Sequence, residues 1–109
     1  MVTIKEAEMQ TGITKQNIRY YEKIGLLQPS REQENKYRNY SEEDIRRLKL
    51  IFLFRKLDMP LEEIRQLLEG TIELQDALQM QKEMLVERQQ KLQAAISFCG
   101  QIEEKELTQ

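Results

Sequence analysis

The chain contains no histidine and no tryptophan, and its single cysteine, Cys99, has no second cysteine to pair with. One copy therefore cannot close a disulfide or assemble the usual tetrahedral zinc ligand sets. The same scarcity bears on catalysis, which needs a positioned nucleophile, base or metal. There is no imidazole, no pair of carboxylates in a recognisable cleft, and the four glycines are too scattered to cradle a phosphate. No enzymatic activity and no cofactor are expected. Long apolar runs are missing too, which excludes a membrane-spanning helix. The opening residues Met1-Val2-Thr3-Ile4-Lys5-Glu6 place a carboxylate where a secretory leader would need an apolar stretch, so a cytoplasmic protein is expected. Only two prolines, Pro29 and Pro60, interrupt 109 residues, which leaves room for long helices.

What is present suits a small helical protein. Hydrophobic residues make up 39% and charged residues 33% of the chain, enough for one compact core plus an appendage. The net charge of −2 conceals an asymmetry. Residues 1–56 hold 12 Lys/Arg against 8 Asp/Glu, and residues 57–109 hold 5 against 11. A polyanion would be drawn to the first half and repelled by the second, so a nucleic-acid surface is expected N-terminally.

Thr3 and Glu6 have the spacing of a capping box, which predicts a helix over about 4–11. Gly12 can supply the turn after it, Ile13 a core residue, and Thr14 the cap of a second helix running to about Ile24, closed by Gly25. Two helices joined this way have the helix-turn-helix layout. From Leu26 to Tyr40 the helical period is lost, and the segment reads as a short two-stranded wing with its turn near Asn35. Ser41 with Asp44 predicts another N-cap, before a third helix whose apolar stripe is Ile45, Leu48, Ile51, Phe52 and Leu57. Asp58-Met59-Pro60 ends it. A fourth helix follows with Leu61, Ile64, Leu67 and Leu68 on one face and Gly70 at its end, completing a domain over residues 1–70. Residues 71–109 are expected to form a linker and a coiled-coil helix. Between Leu74 and Glu106 the only breaker is Gly100, so a helix of about 50 Å is predicted. Leu78, Leu85, Leu92 and Cys99 recur every seven residues, joined by Ala95, Ile96 and Ile102, although Gln81, Lys82, Arg88 and Gln89 blemish the seam.

Three clusters could carry chemistry. On the second helix, Lys15, Gln16, Arg19, Tyr20 and Lys23 face away from Ile18 and Ile24, a mixture suited to phosphates and base edges, and also what a solvated amphipathic face shows. On the wing, Arg31, Lys36, Tyr37, Arg38 and Tyr40 combine guanidinium, ammonium and phenol groups that can bond phosphate oxygens. On the third helix, Arg46, Arg47, Lys49, Arg55 and Lys56 fit a flank of the duplex or plain solvent equally well. Cys99 on the leucine stripe reads as a small hydrophobe, and Met80, Met84 and Phe98 as packing residues.

Taken together, Thr3-Ile4-Lys5-Glu6, Thr11-Gly12-Ile13-Thr14, Ile18-Arg19-Tyr20-Tyr21-Glu22, Gly25-Leu26-Leu27 and Pro29 resemble the signature of the mercury-resistance (MerR) regulator family. Asn35-Lys36-Tyr37-Arg38-Asn39-Tyr40-Ser41 resembles the family's wing, with Lys36 where glycine is usual. Leu57 to Ile64 resembles its link into the fourth helix. The resemblance implies a mainly α fold: a winged helix-turn-helix of four helices and a two-stranded wing, then a long antiparallel coiled-coil helix. It further implies a homodimer on a pseudo-palindromic promoter, where double-stranded DNA is bent so that RNA polymerase can engage both promoter elements. The DNA contacts carried over are Thr14, Lys15, Asn17, Arg19, Tyr20, Lys36, Tyr37, Arg38 and Tyr40. The pairing residues are Leu78, Leu85, Leu92, Ala95, Ile96, Cys99 and Ile102. Two other readings stay open on the residues alone: an architectural DNA-bending protein of the excisionase kind, and a dimerisation adaptor whose basic face is merely solvated.

Overall fold

The computed structural model describes residues 2–28, 30–31 and 38–107, and of Ser30, Arg31, Arg38 and Lys105 the backbone alone. The described residues are mainly α, with five helices in the order α1 (Ile4–Thr11), α2 (Lys15–Lys23), α3 (Glu42–Lys56), α4 (Leu61–Glu69) and α5 (Leu74–Cys99), followed by one 3-10 turn at Glu104–Glu106. Between α2 and α3 lie β1 (Ser30–Arg31) and β2 (Arg38–Asn39), paired antiparallel with Ser30 opposite Asn39 and Arg31 opposite Arg38. The expected turn at Asn35, together with Pro29, Lys36 and Tyr37, falls outside the described residues. Backbone contacts divide the chain into two compact units, Met1–Glu73 and Leu74–Gln109.

In the first unit the helix starts follow local chemistry. Thr3 Oγ1 accepts from the Glu6 amide at 3.2 Å, and the Glu6 carboxylate reaches back to Thr3, closing the capping box. Ser41 and Asp44 do the same for α3, at 3.1 Å and 3.0 Å. Gly12 and Gly70 end α1 and α4 in the left-handed conformation, both with φ of 77°. The α3–α4 turn uses Asp58 at φ 59° for the same purpose. There the Met59 amide donates to the Phe54 carbonyl at 3.2 Å and the Asp58 amide to Arg55 at 3.0 Å, the bond pair that closes a helix end around a left-handed residue.

The core gathers Ala7, Ile13, Ile18, Tyr21, Leu26, Leu27, Ile45, Leu48, Ile51, Phe54, Met59 and Ile64, where α1 packs on α2 and α3, and α3 on α4. Two expectations change here. Phe54, not Phe52, continues the inward stripe of α3, because Ile51 plus three keeps the face that Ile51 plus one leaves. Phe52 lies at the surface, with the Lys56 ammonium 4.7 Å from its ring centroid. Tyr40 is the second: its relative exposure is 0%, among the largest buried side chains of the protein. The backbone of Tyr40 exchanges two hydrogen bonds with Val2, at 2.9 Å and 2.8 Å, which fixes the ring inside.

The second unit is dominated by α5, 26 residues and so about 39 Å long. The expected helix through Glu106 is shortened, because the ladder gives way at Gly100. The Gly100 amide turns back to Ser97 at 3.2 Å and the Gln101 amide to Phe98 at 2.9 Å, bonds that span three residues instead of four. Ile102 therefore lies beyond the helix end. Among the described residues no helix is long and apolar enough to cross a membrane.

Candidate nucleic-acid interface

The surface built by α2 starts at its cap. Thr14 Oγ1 accepts from the Asn17 amide at 3.2 Å, which ties the hydroxyl to the first turn and leaves its proton to donate outward. At about 100° per residue, Lys15, Arg19, Lys23, Gln16 and Tyr20 then fall on one continuous arc of α2, with Asn17 at its edge. The opposite side carries the buried Ile18 and Tyr21. Gln16, Asn17, Arg19 and Lys23 are exposed and Lys15 is half-buried. Tyr20 is 48% exposed and is braced by Tyr21, the ring centroids 6.0 Å apart and tilted by 55°.

What separates this face from the arginines of α3 is engagement. Among the described residues, no carboxylate or carbonyl holds the charged end of Lys15, Arg19 or Lys23. On α3 three of the five cations are held by the protein's own oxygen atoms. Arg46 clasps Glu43 at 2.6 Å and 2.9 Å, Arg47 Nε donates to the Leu26 carbonyl at 2.9 Å, and Arg55 Nη1 to the Met59 carbonyl at 2.9 Å. The clasp holds the exposed Glu43 carboxyl below its ordinary range, first through the hydrogen bond from Arg46, and raises the Arg46 guanidinium correspondingly. Lys49 on α3 is exposed. A groove of about 450 Å³ runs beside the first half of α2, between Thr14, Asn17 and Tyr20 on one wall and Phe52, Arg55 and Lys56 on the other.

Of the residues expected to touch DNA, α2 brings Thr14, Lys15, Asn17, Arg19 and Tyr20 together on one surface. Arg38 is placed by its backbone on β2, opposite Arg31, while Lys36 and Tyr37 lie outside the described residues. Tyr40 is corrected from a DNA contact to a core residue, its hydroxyl donating inward to Glu22 Oε2 at 3.5 Å. A phenol with no exposed surface cannot reach a phosphate. Sequence reasoning missed the residues that hold α2 in place. Glu8 on α1 accepts from the Lys15 amide at 2.9 Å, Arg65 on α4 donates to the Ile24 carbonyl, and Arg47 secures the segment that follows. Their partners are backbone groups distant in sequence, which no local spacing announces.

On α5 the apolar face is bare towards its C-terminal end. Leu92 is 60%, Ile96 64% and Phe98 59% exposed, and Ala95 and Cys99 are exposed as well, while Leu78 and Leu85 are half-buried. The polar flank carries ordinary surface pairs, such as Lys91 with Glu87 at 3.4 Å.

Comparison with known proteins bears on this geometry directly. The sequence matches the family described as MerR HTH family regulatory protein over residues 2–71, and that described as MerR, DNA binding over residues 45–104. It is 32% identical over 94 residues to the HTH-type transcriptional activator mta of Bacillus subtilis (strain 168), covering 85% of this chain and 37% of that protein. Over 67 residues it is 42% identical to the HTH-type transcriptional regulator HmrR of Rhizobium leguminosarum bv. viciae, covering 62% of this chain and 51% of that one. In structure it is similar to MtaN, the N-terminus of the Bacillus subtilis multidrug transporter activator, with a TM-score of 0.85 at 29% identity, covering 93% of this chain and 96% of that chain. The chain spans about a third to a half of the length of the curated relatives it matches. With the family matched over most of the chain and the fold matched alongside it, the protein belongs to the MerR family of HTH regulatory proteins.

Proposed function

We propose that the chain binds a pseudo-palindromic promoter site as a homodimer, with α2 in the major groove of each half-site. The observation that carries this reading is the contrast in engagement: Lys15, Arg19 and Lys23 are uncommitted on one arc while most cations of α3 are held by the protein's own groups. Arg19 and Lys15 suit phosphates and guanine edges, Asn17 an adenine edge, and Thr14 and Tyr20 phosphate oxygens. The β1–β2 pair serves as the wing, carrying Arg38 with Lys36 and Tyr37 to the neighbouring backbone, so that residues 1–70 act as the DNA-binding domain.

Residues 71–109 supply the pairing helix, which sets two copies on two half-sites at once. The partner's α5 lies antiparallel, covering Leu78, Leu85, Leu92, Ala95, Ile96, Cys99 and, past the helix end, Ile102. An apolar face as bare as that of Leu92 and Ile96 is what a second copy would bury. Two domains joined through one pair of helices can bend and untwist the DNA between them, so that RNA polymerase engages both promoter elements, and the cost of that distortion adds to specificity.

Arg19→Ala tests the reading. With the whole chain and its promoter duplex, titrated by fluorescence anisotropy over a series of salt concentrations, the variant is expected to bind about tenfold more weakly and to flatten the salt slope by about one phosphate contact. Unchanged affinity and slope in a folded variant would leave α2 as merely solvated surface.

A further inference from the structure

The short helix α2 is held at its two ends by side chains of opposite charge from two other helices. At its start, Glu8 on α1 reaches over the turn, and its Oε2 accepts the Lys15 amide proton at 2.9 Å. Thr14 takes the Asn17 amide, so two of the unpaired N–H groups of the first turn are satisfied by two different side chains. At its finish, Arg65 on α4 donates through Nη2 to the carbonyl of Ile24, the C-cap, while its Nε faces Glu62 Oε2 at 3.4 Å. Gly25 follows at a φ of +85°, a conformation that disfavours any side chain, and a Cβ there would lie 3.4 Å from Arg65 Nη1, at van der Waals contact. A carboxylate at the positive end and a guanidinium at the negative end both complement the helix dipole.

Towards a polyanion, however, the charge of Glu8 is unfavourable. A carboxylate at the edge of a DNA-reading surface repels phosphate and lowers affinity for a polyanion. Geometry gives a reason for its place. With nine residues, α2 is too short to be stable by itself, and it buries only Ile18 and Tyr21, so few contacts set its axis. Base-edge contacts demand placement within about half an ångström.

We propose that Glu8 and Arg65 are positioning residues for DNA recognition, which clamp α2 end to end so that its exposed arc meets the groove in one orientation. The inference rests on α2 being the recognition helix. Glu8 separates the two readings because reach and charge can be altered independently. Glu8→Asp keeps the charge and shortens the side chain by one methylene, and Glu8→Gln removes the charge and keeps an acceptor oxygen at the same reach.

The test is titration of the whole chain, as Glu8→Asp, Glu8→Gln and Arg19→Ala, against the duplex enriched by the wild-type chain from a random library, at several salt concentrations. The temperature is one at which circular dichroism shows every variant folded, so that a role in stability alone leaves affinity unmoved. The clamp is expected to make Glu8→Asp about fivefold weaker at every salt concentration, the loss of one capping hydrogen bond, while Glu8→Gln stays within about twofold of wild type. Hydrogen exchange at the Lys15 amide should speed up in Glu8→Asp alone. The opposite pattern, with Glu8→Asp unchanged and Glu8→Gln tighter at low salt, would overturn the clamp. If Arg19→Ala binds as wild type does, it is the reading of α2 that fails; if Arg19→Ala weakens binding and Glu8→Asp does not, the clamp alone fails.

Discussion

Tyr40 shows how much one side chain's direction decides. Its phenol is enclosed, its backbone is paired with Val2, and its hydroxyl reaches Glu22 at the limit of a hydrogen bond, 3.5 Å. Tyr40→Phe should therefore cost only about 1 kcal/mol and leave DNA affinity intact. Tyr40→Ala, by opening a cavity, should cost about 3–5 kcal/mol. Denaturant unfolding of the two variants beside a DNA titration checks this, and a loss of affinity in Tyr40→Phe without a loss of stability would return the residue to the interface. The sequence made the caps legible because their partners lie three residues away: Thr3 with Glu6, Ser41 with Asp44, Thr14 with Asn17. It hid Tyr40 because alternation along a strand identifies two faces without saying which is inward. It hid Glu8, Arg47 and Arg65 because their acceptors and donors are backbone groups 7, 21 and 41 residues away.

At the scale of elements, helices read well from spacing and their ends less so. The first four helices begin and end within a residue or so of the glycines and caps that predict them, because each end has a residue with a specific conformational reason to be there. The long helix lacked such a marker except Gly100, which at about 1 kcal/mol against alanine marks where its hydrogen-bond ladder gives way. The heptad stripe fixes which side of α5 is apolar but is silent on what covers it, since a partner's helix leaves no mark in one copy. Replacing Leu92 and Ile96 together by Asp should convert a dimer into a monomer at micromolar concentration, read as a halving of mass in sedimentation equilibrium. DNA affinity should fall with it, because two half-sites would no longer be joined. A variant that stays dimeric would move the pairing surface off this face.

Across the whole molecule, charge and architecture divide the work. The first 56 residues carry 12 cations against 8 anions and the remainder 5 against 11, a balance that would attract phosphate to the first part of the chain and repel it from the rest. Within the basic half, most cations of α3 are tied to the protein's own groups and those of α2 are not, a distinction that composition cannot make and side-chain geometry can. The central claim is that two copies present two such helices to one symmetric site. Selection of bound duplexes from a random library by the purified chain at physiological salt, followed by sequencing, tests it most directly. Enrichment of a two-fold symmetric sequence, its half-sites about one or two helical turns apart, is the expected result. Enrichment of a single asymmetric half-site, or of no sequence at all by a folded dimer, would contradict it.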